Sequence, residues 1–150
     1  MIVDFYHLTA SPLERVLPSI CEKVLPSICE KVLAGGERLL VVAGEPLLGR
    51  IDEQLWSYQK DAFLPHGRER PESQPVLLSD APVAANGAIN IALADGQWRE
   101  EALRFSRAFY FFDSAALDAA RAAWRALKGR DGVESRYWKQ NEAGRWVQGP

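Results

Sequence analysis

Four groups of residues in this 150-residue chain could do chemistry, and the first is the run G-E-P-L-L-G-R-I at 44–51. A phosphate-binding loop needs a lysine after its second glycine to reach the β- and γ-phosphates, then a serine or threonine whose hydroxyl ligates magnesium. Those two positions hold Arg50 and Ile51, and Pro46 removes one backbone N–H from the cradle. The loop therefore reads as an ordinary strand-to-helix turn, with a degenerate phosphate-loop, nucleotide-binding enzyme as the alternative. The second group is metal-ligating. His7 and His66 have no cysteine or carboxylate at ligand spacing, so no metal is expected and no cofactor is implied. The third is nucleophilic. Cys21 and Cys29 sit in an apolar stripe, where thiols are inert, and Asp52-Glu53 opens a helix, where carboxylates complement the macrodipole.

The fourth group is a recognition surface on a helix expected at 114–128. At ~100° per residue, Ala116, Leu117, Ala120, Ala123 and Leu127 share one face, while Arg121, Arg125 and Lys128 form a basic stripe beside it, with Trp124 on the border. Cations near a helix C-terminus also complement its dipole, so a purely structural role is open. An aromatic floor beside cations equally suits a peptide that is both apolar and anionic, such as a hydrophobic residue bearing a terminal carboxylate.

The elements that position these groups alternate. Strands are expected at 3–8, 38–43, 76–79, 89–93 and 108–112. The run RLLVVA at 38–43 has the continuous apolar character of a strand buried on both faces. Helices are expected at 50–58, at 97–106 with Trp98, Ala102 and Phe105 on one face, and at 114–128, capped by Asp113-Ser114 and ended by Gly129. The three prolines of 63–75 mark a loop, and 136–140 with 145–148 reads as a terminal β-hairpin. This order predicts an α/β, Rossmann-like fold: one mostly parallel sheet with helices on both faces, plus a C-terminal hairpin, in a single domain over 1–150.

Between the first two strands the octapeptide VLPSICEK occurs twice in tandem, at 16–23 and 24–31. Eight residues is too short for a solenoid unit, so the identity reads as a local duplication of coding sequence. Its apolar pairs recur every four residues and would wind around one helix, and Pro26 costs ~3 kcal/mol in a helix interior. A kink, or one copy extruded at a helix end, is expected.

Composition sets the outer bounds. The chain is 47% hydrophobic and 25% charged, ordinary for one globular domain, and its 18 basic against 20 acidic residues give a net charge of −2. Such a balance lacks the positive field that non-specific phosphate contacts need, which counts against direct nucleic-acid binding. No run approaches the ~18 apolar residues of a membrane span. Cysteines eight apart in a helix would lie ~12 Å from each other, beyond disulfide reach. A soluble, cytoplasmic protein is expected.

Several of these stretches, taken together, resemble the chi subunit family of bacterial DNA polymerase III. They are Phe5-Tyr6-His7-Leu8, Asp52-Glu53-Gln54-Leu55-Trp56, Phe63-Leu64-Pro65-His66-Gly67, Pro75-Val76-Leu77-Leu78, Asn86-Gly87 and the helix with Arg121, Trp124 and Arg125. The D-E-x-L-W and F-L-P-H-G pair is the specific part. The resemblance implies a Rossmann-like, non-catalytic accessory subunit that ties the clamp-loader complex to single-stranded DNA-binding protein by binding its acidic, phenylalanine-ending C-terminal tail. By matching position it implies Arg121, Trp124, Arg125 and Lys128 as the tail-binding side, with Trp56 and Phe63 as apolar walls. Further partners in the family are the psi subunit of the clamp loader and, for some relatives, a helicase. Leu117 stands where some members carry another basic residue, which weakens the implied clamp, and the duplicated octapeptide is no part of the family pattern.

Overall fold

A computed structural model describes residues 1–7, 25–45, 47–57, 66–140 and 146–149. Its centre is an eight-stranded sheet of β1 (Ile2–His7), β2 (Leu39–Val42), β3 (His66–Gly67), β4 (Val76–Ser79), β5 (Asn90–Leu93), β6 (Arg107–Phe112), β7 (Glu134–Gln140) and β8 (Trp146–Gln148). The strand order is β3-β4-β2-β5-β6-β1-β7-β8, parallel throughout except for the antiparallel β7–β8 hairpin. The described helices are α1 (Leu25–Ala34), α2 (Leu47–Ser57) and α3 (Leu117–Leu127).

The two-residue period of the strands divides the core. Leu39 and Val41 of β2 and Phe109 and Phe111 of β6 face one side, with Ile28, Cys29 and Val32 of α1 and Leu48 and Ile51 of α2 packed on them. Leu40, Val42, Tyr110 and Phe112 face the other, together with Val3 and Phe5, and are covered by Ala120, Ala123 and Leu127 of α3 and by Ala102. Strands buried on both faces are continuously apolar, which is why β2 reads LLVV and is buried at every position. The expected fold class, helices on both faces of a mostly parallel sheet with a C-terminal hairpin, is the one observed.

Three expected elements differ. The helix expected at 50–58 already starts at Leu47, so Asp52 and Glu53 lie beyond its first turn rather than at the dipole's positive end. The segment 97–106 forms only a short 3-10 helix, Glu100–Arg104, although Trp98, Ala102 and Phe105 all turn to the core as expected. The Asp95 carboxylate is responsible. It accepts the Gln97 N–H (3.2 Å) and two bonds from the Arg99 guanidinium (2.9 Å each), which fixes 95–99 as a turn and leaves too few residues for an α-helix before β6. The expected loop at 63–75 contains the two-residue edge strand β3 and a 3-10 turn, Pro71–Ser73, with proline in its first turn. Pro26 is the second residue of the described part of α1. The first octapeptide copy falls outside the described residues, as does Cys21. Cys29 is buried.

One polar group holds the middle of the sheet. Asp4 of β1 is fully buried, and its Oδ1 accepts from Arg136 Nε (2.7 Å) and Trp138 Nε1 (3.0 Å), both on β7. Its Oδ2 accepts from Arg107 Nε on β6 (2.9 Å) and from a terminal nitrogen of Arg136 (3.1 Å). Burial alone would raise the Asp4 pKa, but the donors from Arg136, Trp138 and Arg107 outweigh it and hold the carboxyl below its usual range. Burial, with the Asp4 charge behind it, pushes the neighbouring Tyr6 hydroxyl up to about 12. This carboxylate thus clamps three adjacent strands from one face, and Phe5 and His7, by alternation, are presented on the other.

Candidate functional site

The next described helix after β1, α1, packs on one face of the sheet, and α3, which follows β6, packs on the opposite face, yet β1 and β6 are neighbours. Their last residues, His7 and Phe112, are partners in register. That arrangement is a topological switch point, and open α/β sheets form their ligand sites in the crevice at the carboxyl ends of such strands.

A cavity of about 270 Å³ lies there, lined by Phe5 and His7 of β1, Phe112 of β6, Tyr137 of β7, and Leu117, Ala120, Arg121 and Trp124 of α3. Helix α3 is set by Asp113, whose Oδ1 accepts the Ala116 N–H (3.1 Å) and caps the 3-10 turn Ser114–Ala116 that runs into it. Lys128 caps its end through a bond from its N–H to the Trp124 carbonyl (3.0 Å), and Gly129, at φ +81°, takes the left-handed conformation that stops the helix. Capping and stop occur where the sequence places them. Between them Ala120, Ala123 and Leu127 are buried, Trp124 is half-buried, and Arg121, Arg125 and Lys128 are exposed.

The walls are aromatic and interlocked. Trp124 meets Phe5 edge-on at 5.1 Å and Tyr137 at 6.5 Å, and the His7 ring stacks on Phe112 at 4.8 Å. His7 Nδ1 and the Tyr137 hydroxyl are 2.7 Å apart. Burial and the Arg121 charge lower the His7 pKa, so its imidazole is neutral at pH 7, and burial raises that of the Tyr137 hydroxyl. Arg121 is the cation of the cavity wall. Among the described residues Arg68, Arg99, Arg107, Arg130 and Arg136 are engaged by carboxylates, whereas Arg121, Arg125 and Lys128 form no ion pair. A cavity of about 150 Å³ takes a benzene ring, so this one has room for a phenyl group with a carboxylate beside it. It is smaller than the ~300 Å³ at which drug-sized ligand pockets begin.

The structure brings together Arg121 and Trp124 of the expected site residues. Arg125 and Lys128 belong to the same exposed stripe but do not line the cavity. Trp56 belongs to α2, which packs on the other face of the sheet. Its side chain, like the whole of Phe63, lies outside the described residues. Nothing in the sequence alone marks Phe5, His7, Phe112 and Tyr137 as site residues. The nearest to a signal is the i, i+2 pair Phe5 and His7, which a strand must present on one face.

Two other features bear on chemistry. The Gly44 N–H, first of the near-phosphate loop, donates to Asp95 Oδ2 (3.0 Å). One backbone N–H of that loop is therefore already taken by a carboxylate, which weighs against the nucleotide-binding alternative. His66 Nε2 lies 3.1 Å from Asp52 Oδ1 and 3.2 Å from the Asp52 carbonyl oxygen, so the D-E-x-L-W and F-L-P-H-G stretches meet through Asp52 of α2 and His66 of β3. Among the described residues no group of three or more histidines, cysteines or carboxylates is arranged to hold a metal ion, and no helix is long and apolar enough to cross a membrane.

Comparison with curated proteins found no match. The family model described as DNA polymerase III chi subunit, HolC, matches residues 1–134. That span carries β1 through α3 and every described element lining the cavity except Tyr137 of β7. The chain belongs to the DNA polymerase III chi subunit family.

Proposed function

We propose that this chain, within the accessory role in replication that its family implies, is a non-catalytic adaptor that binds the acidic C-terminal tail of single-stranded DNA-binding protein and so couples it to the clamp-loader complex. The observation that carries this reading is the aromatic cavity at the β1–β6 switch point with the unpaired Arg121 in its wall. A terminal phenylalanine offers what such a site selects: a ring for Phe5, Phe112, Trp124 and Tyr137 to enclose, and a carboxylate for the guanidinium. Arg125 and Lys128 extend the positive stripe along α3 toward the acidic residues that precede the phenylalanine. Trp56 and Phe63 enter the proposed site on the family resemblance alone, as does a psi-type partner within the clamp loader. A net charge of −2 with the basic residues gathered locally suits an acidic peptide better than a phosphate backbone.

The test is a titration of the chain with an acidic peptide ending in Pro-Phe, compared with the same peptide lacking its last residue. Binding that weakens as salt rises and disappears with the terminal phenylalanine is expected. Equal affinity for both peptides would overturn the assignment.

A further inference from the structure

His7 is the one polar group of the cavity that the proposed function leaves without a role. Its Nδ1 is 2.7 Å from the Tyr137 hydroxyl, its ring lies on Phe112, and its Nε2 is buried with no hydrogen-bond partner among the described residues. A neutral imidazole has one donor nitrogen and one acceptor nitrogen. Where the un-ionised Tyr137 hydroxyl donates to Nδ1, the ring proton is on Nε2 with nothing to bond; where Nδ1–H donates to the hydroxyl, Nε2 is a bare acceptor. A buried polar nitrogen without a partner costs about 1–3 kcal/mol, and the place of the ring in the cavity wall exposes it to the charge of any anion that enters. Tyr137 tolerates the other state as well: once the ring is protonated, Nδ1–H donates and the same hydroxyl oxygen accepts.

The charges that face His7 come from each element packed around it. Arg121 approaches from α3, Asp113 from the junction of β6 and α3, and Tyr137 from β7, where Lys139 is also the register partner of His7. The single carboxylate in this set is already spent on capping, since Asp113 accepts the Ala116 N–H. In the empty cavity the balance therefore disfavours a second cation beside Arg121. A bound carboxylate reverses it.

We infer that His7 is a proton-linked contact of this site: entry of an anionic chain end draws a proton onto His7, so that the ligand's carboxylate is held by Arg121 and an imidazolium together. The inference rests on the reading that the cavity takes an anionic peptide end. Its sign follows from linkage. The His7 pKa is higher in the complex than in the free chain, so affinity is constant above the bound value, rises as pH falls between the bound and free values, and levels off below the free one. An opposite charge within hydrogen-bonding range moves a pKa by about one unit or more, so the gain is about tenfold. Carboxylates titrate near ~4 and stay ionised throughout.

The experiment is a calorimetric titration of the full chain with the acidic peptide ending in Pro-Phe, between pH 8 and pH 5.5, in two buffers of different ionisation enthalpy. The expected result is an affinity about tenfold higher at the acid end, with net proton uptake on binding, both lost in His7→Gln. The other histidine, His66, sits on the far edge strand against Asp52 and is unchanged in that variant. Because a change in β1 could disturb folding, the His7 ring is also followed by NMR in the unmodified chain, where it should titrate at higher pH with peptide than without. The same pH dependence in His7→Gln, or a ring that titrates no higher in the complex, overturns the inference and leaves peptide binding standing. No binding at any pH overturns both.

Discussion

Replacing Asp4 with asparagine keeps the shape of the side chain and removes the charge that joins β6, β1 and β7. Each carboxylate oxygen accepts short bonds from arginine, Oδ1 from Arg136 at 2.7 Å and Oδ2 from Arg107 at 2.8 and 2.9 Å, and Oδ1 also takes the Trp138 indole N–H. In Asp4→Asn one of those oxygens becomes an NH₂ group facing guanidinium donors, which leaves donors opposed to donors and two cations without a counter-charge. Removing one member of a buried charge pair costs about 3–5 kcal/mol. Here the Arg136 and Arg107 side chains are 26% and 40% exposed and recover part of their hydration, so the lower end, about 3 kcal/mol, is expected. Urea unfolding at pH 7 measures it as a lower midpoint at unchanged slope. The Asp4 pKa is depressed in the folded chain, so its contribution is complete above the unfolded value of about 3.9 and is lost as pH falls through the folded value. The gap between the two proteins should therefore narrow as the pH is taken toward ~3. A difference under about 1 kcal/mol at pH 7, or one that stays constant into acid, would refute the view that this carboxylate holds the three strands together.

Leu127→Ala empties a fully buried position under the end of α3 and should cost about 2–5 kcal/mol in the same unfolding assay. A loss within experimental error would mean that α3 is not anchored there. Trp124→Ala removes the wall that Phe5 and Tyr137 meet edge-on, and should weaken binding of the phenylalanine-ended peptide by at least about tenfold while thermal unfolding stays cooperative. Millimolar ATP or GTP should leave the melting temperature unchanged, because the Gly44 N–H is already bonded to Asp95. An upward shift would revive the nucleotide-binding alternative.

How much of this was readable in advance depended on whether a signal was local. β2 is legible because a strand buried on both faces is apolar at every position, β4 because its first three residues are buried and apolar, and the α3 region because Asp113 and Gly129 punctuate a clear helical stripe. The 97–106 helix failed because Trp98, Ala102 and Phe105 reach one core equally well from a 3-10 turn, and periodicity could not show that Asp95 and Arg99 close the preceding turn on themselves. β3 was missed because two residues at a sheet edge carry no period. The site divided in the same way. Arg121 and Trp124 lie on one helix and were found together. Their neighbours His7 and Tyr137 are 130 residues apart in sequence and meet only because β7 adds to the sheet beside β1, a pairing that no local pattern encodes.

The proposed role turns on Arg121. This residue lines the aromatic cavity and has no carboxylate partner of its own among the described residues. A hydrogen bond to a charged group is worth roughly 1.5–3 kcal/mol, so its loss corresponds to a factor of about ten or more in affinity. The dissociation constant of the acidic, Pro-Phe-ended peptide should therefore rise at least about tenfold in Arg121→Ala, and by less in Arg125→Ala, which removes a charge of the stripe outside the cavity. An affinity unchanged in both variants would contradict the assignment of this cavity as the tail-binding site.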